Sequence, residues 1–261
     1  MPDKCPICMA DASNIEEVVE AGAQSAPAKK GIDTNSNVYT ILYAAVMVVI
    51  VAFLLAFVSS ALKPVQDQNV ALDKKKQILA ALRIRNLATA EEVEAKYNEV
   101  VVADMVVDSL GNVLKDGKGK DKDGFAVASK DVNNQYLPVY ACIVNKERKY
   151  VVPMTGRGLW GGLWGYMAVN DDLRTIYGAY FSHESETAGL GALIADEPFQ
   201  RLFNDKQMYS DTACAEVALT VVKHGKVEPG KENYQVDGIT GATLTSVGVA
   251  NMVHDGLTQY Q

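Results

Sequence analysis

The chain has 261 residues, a formal net charge of -7 and a hydrophobic share of 48%. That length suffices for one or two domains with a buried core. The acidic balance excludes the broad basic face of a nucleic-acid binder but leaves a nucleotide cofactor open, because local donors hold a phosphate at any net charge.

The four cysteines, Cys5, Cys8, Cys142 and Cys214, are too few and too dispersed for a disulfide-built scaffold, so Cys142 and Cys214 read as isolated core thiols. Residues 1–33 read as a tail with linker chemistry, in which Asn14 could open a short helix. The Cys5-Pro-Ile-Cys8 pair offers only two thiolates, short of a tetrahedral zinc site.

Thr34 to Leu62 contains no Asp, Glu, Lys, Arg or His, and Val38 to Leu62 is almost wholly apolar. As a helix the latter stretch measures about 37 Å, enough to cross a hydrocarbon core of roughly 30 Å with some tilt. Tyr39 and Tyr43 suit one interface, and Lys63-Pro64 reads as the stop at the other. A long polar segment precedes the run, which argues against a cleaved signal peptide. Lys29 and Lys30 lie before it and Lys63 and Lys74–Lys76 after it, a weak bias that would leave the C-terminal part in the cytoplasm; long domains cross largely regardless of such a count.

The pattern then predicts a helix from Pro64 to Arg85. Val70, Leu72, Ile78, Leu79 and Leu82 form its apolar stripe, with Lys74 to Lys76 on a solvated side. Thr89 with Glu91 and Glu92 predicts a capped helix through Val100. Met105 to Leu114 reads as a hairpin and Asp116 to Asp123 as an exposed loop. Strand-like runs follow at Val139–Val144, Tyr150–Val152, Tyr166–Val169, Thr175–Phe181 and Ala215–Val222, with a short helix at Pro198–Asn204. The expected class is α+β with a mainly antiparallel sheet behind one N-terminal membrane helix.

Three stretches carry chemistry. In Gly156 to Gly165 five of ten positions are glycine, which permits positive φ and close approach to a flat ligand, with Trp160 and Trp164 as stacking or bordering rings. His183-Glu-Ser-Glu-Thr-Ala-Gly-Leu-Gly191 follows a strand, where a threonine hydroxyl and glycine amides can hold a polar ring edge or a phosphate. Its His and Glu spacing lacks a third metal ligand. Asp237-Gly-Ile-Thr-Gly-Ala-Thr-Leu-Thr-Ser246 precedes an amphipathic helix marked by Val249, Ala250, Val253 and Leu257. Ser246 or Thr245 is the expected N-cap, which sets Thr243 just ahead of the helix start, where free amides favour a phosphate dianion.

Together these stretches resemble the FMN-binding domain family, and within it the C-subunit family of the sodium-translocating NADH:quinone oxidoreductase. Asp237 to Thr243 matches the flavinylation pattern Asp-Gly-x-(Ser/Thr)-Gly-Ala-Thr. His183 to Gly191 is similar to its His-x-x-Glu-Thr-Pro-Gly-Leu-Gly segment, with Ala188 where the family usually has proline. Gly156 to Trp160 is similar to its Gly-x-Gly-Leu-Trp turn, and Asn35–Thr40 and Leu62–Gln66 to the two ends of its membrane helix.

The resemblance implies FMN joined through its phosphate to the Thr243 hydroxyl by a Mg²⁺-dependent flavin transferase acting on FAD. Asp237, in our own reading, helps position or activate that hydroxyl. Gly238, Thr240, Gly241, Ala242 and Ser246 complete the attachment site, and Gly158, Leu159, Trp160, Glu186, Thr187, Leu190 and Gly191 lie near the flavin. The resemblance covers roughly residues 34–261, with a transmembrane helix over 34–62, a helical connector over 63–104 and the flavin domain over 105–261; the tail over 1–33 has no counterpart in it. That domain would stand on the periplasmic side of a bacterial inner membrane. Electrons would pass from an iron–sulfur centre to another flavin subunit, beside partner subunits A, B, D, E and F. The chain shows no dinucleotide fingerprint, so NADH binding and Na⁺ transport would belong to those partners. The alternative is the homologous G-type subunit of the Rnf ferredoxin:NAD⁺ reductase complex, which carries the same motif.

Overall fold

A computed structural model describes residues 36–118, 121–127, 132, 135–211, 213, 214 and 216–261. The tail and its Cys5/Cys8 pair lie outside the described residues. The chain divides into two compact units, Met1–Pro64 and Val65–Gln261.

Helix α1 spans Asn37–Ala81. Ser36 accepts the Tyr39 amide at 3.1 Å and so caps its start. Its apolar part reaches a mean hydropathy of 3.0 with none of it buried, and among the described residues it is the one helix long and apolar enough to cross a membrane. The stop expected at Lys63-Pro64 does not occur, because α1 runs through Pro64. Proline there costs one backbone bond, and the helix is held beyond it by the packing of Ile78, Leu79 and Ala81 in the second unit.

In the second unit α2 spans Ala90–Val100. Thr89 accepts the Glu92 amide and the Glu92 carboxylate reaches back to the Thr89 amide, the expected capping box. Strands β1 (Val101–Val107), β2 (Val113–Lys115), β3 (Leu137–Val144), β4 (Glu147–Arg157), β5 (Gly162–Asn170) and β6 (Ile176–His183) form one antiparallel sheet in the order β2-β1-β3-β4-β5-β6. A 3₁₀ turn (Gly191–Ala195) and α3 (Glu197–Arg201) follow. Strands β7 (Thr220–Val222) and β8 (Gln235–Asp237) form a parallel pair, and α4 spans Thr243–Thr258. The expected Ala215–Val222 strand is therefore only Thr220–Val222, and β8 carries no alternation long enough to read.

Both faces of the sheet are covered. Val151, Tyr166 and Ala168 pack with Ile78, Leu79, Leu82, Val93 and Tyr97 on one side. Val152, Met167 and Val169 pack with Val249, Met252, Val253 and Leu257 of α4 on the other. Two buried faces turn an alternating pattern into an unbroken apolar run, which hides strand ends. Hence β4 is much longer than its Tyr150–Val152 core.

Two solvated readings change. Lys75 is buried at 6% exposure. It pairs with Asp121 at 2.8 Å and Glu94 at 3.3 Å, while Lys74 donates to the Phe125 and Val127 carbonyls. The loop after β2 is docked as well: Asp104 is fully buried, and one of its carboxylate oxygens accepts the Asp123 and Phe125 amides. Cys142 is buried as expected, and Cys214 only half-buried.

Helix α4 lies close against the β4–β5 hairpin. A Cβ at Gly248 would stand 2.5 Å from the Arg157 carbonyl oxygen. Gly248→Ala is expected to cost about 1–3 kcal/mol through overpacking, read as a lower urea midpoint at an unchanged slope.

Candidate flavin-attachment site

Three loops meet at the start of α4. The first is the turn between β4 and β5, closed by Gly158 N donating to the Gly161 carbonyl at 2.9 Å. The second is the run from His183 to Gly191 after β6. The third joins β8 to α4. Glu186, 7% exposed, ties them together: Oε1 accepts the Trp160 amide at 2.9 Å and Oε2 accepts the Thr245 hydroxyl at 2.6 Å.

Burial pushes the Glu186 carboxyl up, but the Thr245 hydroxyl and the amides of Trp160, Gly161 and Leu159 outweigh it and hold the group below the usual carboxylate range. Room for this carboxylate depends on glycine. A Cβ on Gly158 would stand 2.4 Å from Oε1, and one on Gly191 2.6 Å from Oε2 and from the Thr245 hydroxyl. Gly156, Gly158, Gly161, Gly162 and Gly165 all keep ordinary φ, so the glycine density serves close approach and not positive φ.

Thr243 is the first residue of α4 and is exposed. It sits inside the first turn, not ahead of it. The N-cap is Ala242, with no side-chain cap. Neither expected cap acts as one: Thr245 donates to Glu186, and Ser246 Oγ accepts the Ile239 amide at 3.1 Å. The first-turn amides have no carbonyl within the helix, and the positive end of the helix dipole lies at Thr243. Gly241, at φ +76°, turns the chain into the helix, with Thr240 exposed and Ala242 buried beside it.

Around Thr243 the elements present exposed apolar side chains: Leu159 and Trp160 on the hairpin turn, Leu190 on the second loop, and Leu244 and Val247 on α4. Trp160 is 66% and Leu244 62% exposed. Thr187 is exposed and its carbonyl closes the turn by accepting the Leu190 and Ala192 amides. Trp164, on β5, is half-buried.

Asp237 and Gly238 serve the third loop. Asp237 Oδ1 accepts the Gly225 amide at 2.7 Å, Oδ2 lies 2.8 Å from His224 Nδ1, and the same nitrogen is 3.1 Å from the Gly238 carbonyl. A Cβ on Gly238 would stand 2.4 Å from the Val222 carbonyl oxygen.

Sequence reasoning misses His224, which no motif marks, and the role of Thr245, which stands inside the motif but reads as a cap. It also misses Leu244 and Val247; apolar residues on the outer side of an amphipathic helix are the available signal. Among the described residues no group of three or more His, Cys, Asp or Glu side chains is placed to hold a metal ion.

The residues present fit FMN. A helix start with unsatisfied amides suits a phosphate, an exposed hydroxyl suits attachment, and the apolar side chains around it suit a flat ring.

Residues 158–258 match the FMN-binding domain family. The chain is 32% identical to the C subunit of the Na(+)-translocating NADH-quinone reductase of Pseudomonas aeruginosa, over 84% of this chain and 91% of that protein. It is 33% identical to the C subunit of the same reductase in Haemophilus ducreyi, over 86% and 90%. A crystal structure of the C subunit from Parabacteroides distasonis superposes with a TM-score of 0.68 at 37% identity, covering 76% of this chain and 94% of that one. With its three loops gathered at one exposed threonine and its likeness sustained over nine-tenths of these relatives, the chain belongs to the C-subunit family of the Na⁺-translocating NADH-quinone reductase.

Proposed function

We propose that Thr243 carries FMN through a phosphoester and that the domain passes electrons between other redox centres of the respiratory complex. The observation that carries this reading is the placing of an exposed threonine on an uncapped helix start, with exposed apolar side chains on that helix and on the two loops that meet it. The first-turn amides of α4 hold the phosphate. Leu159, Trp160, Leu190, Leu244 and Val247 border the ring and limit water around it. When bound, FMN supplies the redox chemistry, and because its link is through phosphate the protein tunes that ring by contacts alone.

Attachment is phosphoryl transfer. The Thr243 oxygen bonds the FMN phosphorus of FAD, the pyrophosphate bond breaks, AMP leaves, and the hydroxyl proton passes to a base of the flavin transferase. Asp237, bonded to the Gly225 amide and facing His224, positions the loop that presents Thr243.

Residues 34–62 anchor the chain in the membrane, 63–104 connect, and 105–261 form the flavin domain on the periplasmic side. It accepts electrons from an iron–sulfur centre and delivers them to another flavin subunit among partners A, B, D, E and F. Trypsin added to intact spheroplasts is expected to digest the domain; protection until lysis would reverse the orientation. The decisive test is mass spectrometry of the tryptic peptide 232–261 from protein isolated from its native host. The expected mass includes one FMN less water on Thr243, and an unmodified peptide refutes the assignment.

A further inference from the structure

His183 ends β6, paired with Leu163 of β5. Its Nδ1 accepts the backbone amide of Glu186 at 3.2 Å. An imidazole nitrogen that accepts a hydrogen bond carries no proton, so the neutral ring bears its hydrogen on Nε2. An imidazolium would set two N–H groups against each other.

The three residues that follow all reach across to the β4–β5 turn. Glu184 Oε2 accepts the Gly162 amide at 3.2 Å, the Ser185 hydroxyl donates to the Trp160 carbonyl at 3.0 Å, and Glu186 Oε1 accepts the Trp160 amide at 2.9 Å. Glu186 Oε2 also holds Thr245, two residues beyond Thr243. His183 instead bonds to its own segment and fixes the bend that aims Glu186.

We propose that His183, as its Nε2–H tautomer, is the positioning residue that sets Glu186 and, through it, the Trp160 and Thr245 walls of the Thr243 site. Its effect on a bound flavin rests on the function proposed above. The tautomer and the bond do not.

The test uses the full-length protein with His183→Asn, His183→Gln and His183→Ala. The asparagine oxygen reaches about where Nδ1 stands, whereas the glutamine oxygen reaches about where Nε2 stands. Nitrogen-15 NMR of the wild-type ring is expected to show Nδ1 bare and Nε2 protonated. Losing a bond of about 1 kcal/mol opens the Glu186 amide about fivefold more often. Its deuterium exchange is therefore expected to accelerate about fivefold in His183→Ala and His183→Gln and to stay within about twofold of wild type in His183→Asn. The visible circular dichroism of attached flavin follows the same order.

A wild-type ring protonated on Nδ1, unchanged exchange in His183→Ala, or equal rescue by glutamine and asparagine overturns the proposal. An unmodified Thr243 in the wild type instead refutes the flavin reading, and leaves the ring and exchange results standing.

Discussion

Thr243→Val is expected to give a folded protein with no fluorescent flavin band after SDS electrophoresis. Only covalent flavin survives denaturation, and valine keeps the branched shape while removing the oxygen that would bond phosphorus. Thr243 is exposed, so the exchange leaves the core untouched, and the two residues differ little in helix propensity. The loss should be complete. The neighbouring hydroxyls of Thr245 and Ser246 are buried and already bonded to Glu186 and the Ile239 amide. Thr240 is the one other exposed hydroxyl of the motif. A band that persists in Thr243→Val and vanishes in Thr240→Val would transfer the attachment to Thr240.

Glu186→Ala is expected to destabilise the domain by about 2–3 kcal/mol, because it removes a charge-assisted bond and leaves the buried Thr245 hydroxyl unpaired. Glu186→Gln should cost less. Its oxygen can still accept the Trp160 amide, and its NH₂ can donate to Thr245 once that hydroxyl rotates to accept.

The pH dependence separates the two carboxylate roles, charge and shape. The folded-state pKa of Glu186 is depressed. Its contribution to stability is therefore present above the unfolded value of roughly 4.3 and is lost as pH falls through the lower folded value. Urea titrations at successive pH values should show the wild-type advantage over Glu186→Gln shrinking across that acid range. An advantage that is constant with pH would mean that the carboxylate is held by packing alone.

Much of this site was legible because its chemistry is local. Gly241 next to Ala242 and Thr243 needs only a turn and a helix start, and the run Val249, Ala250, Val253 and Leu257 announces the helix by its spacing. The capping box at Thr89 and Glu92 is likewise a contact within four residues. The apolar run from Val38 to Leu62 declares itself by composition.

What failed was set by partners far along the chain. Lys75 reads as solvated until Asp121 and Glu94 are brought to it. Thr245 reads as a cap until Glu186, 59 residues earlier, takes its hydroxyl. The strand ends were hidden because both faces of the sheet are covered.

The sequence alone determined the membrane-length helix, the α+β class and the threonine on which the flavin reading rests, since each depends on residues adjacent in the chain. Only the tertiary structure decided that Glu186 joins the three loops, that Asp237 faces His224, and that the glycines of the hairpin serve close approach. A buried carboxylate is stable only where donors from several elements converge on it, and no local pattern encodes that convergence.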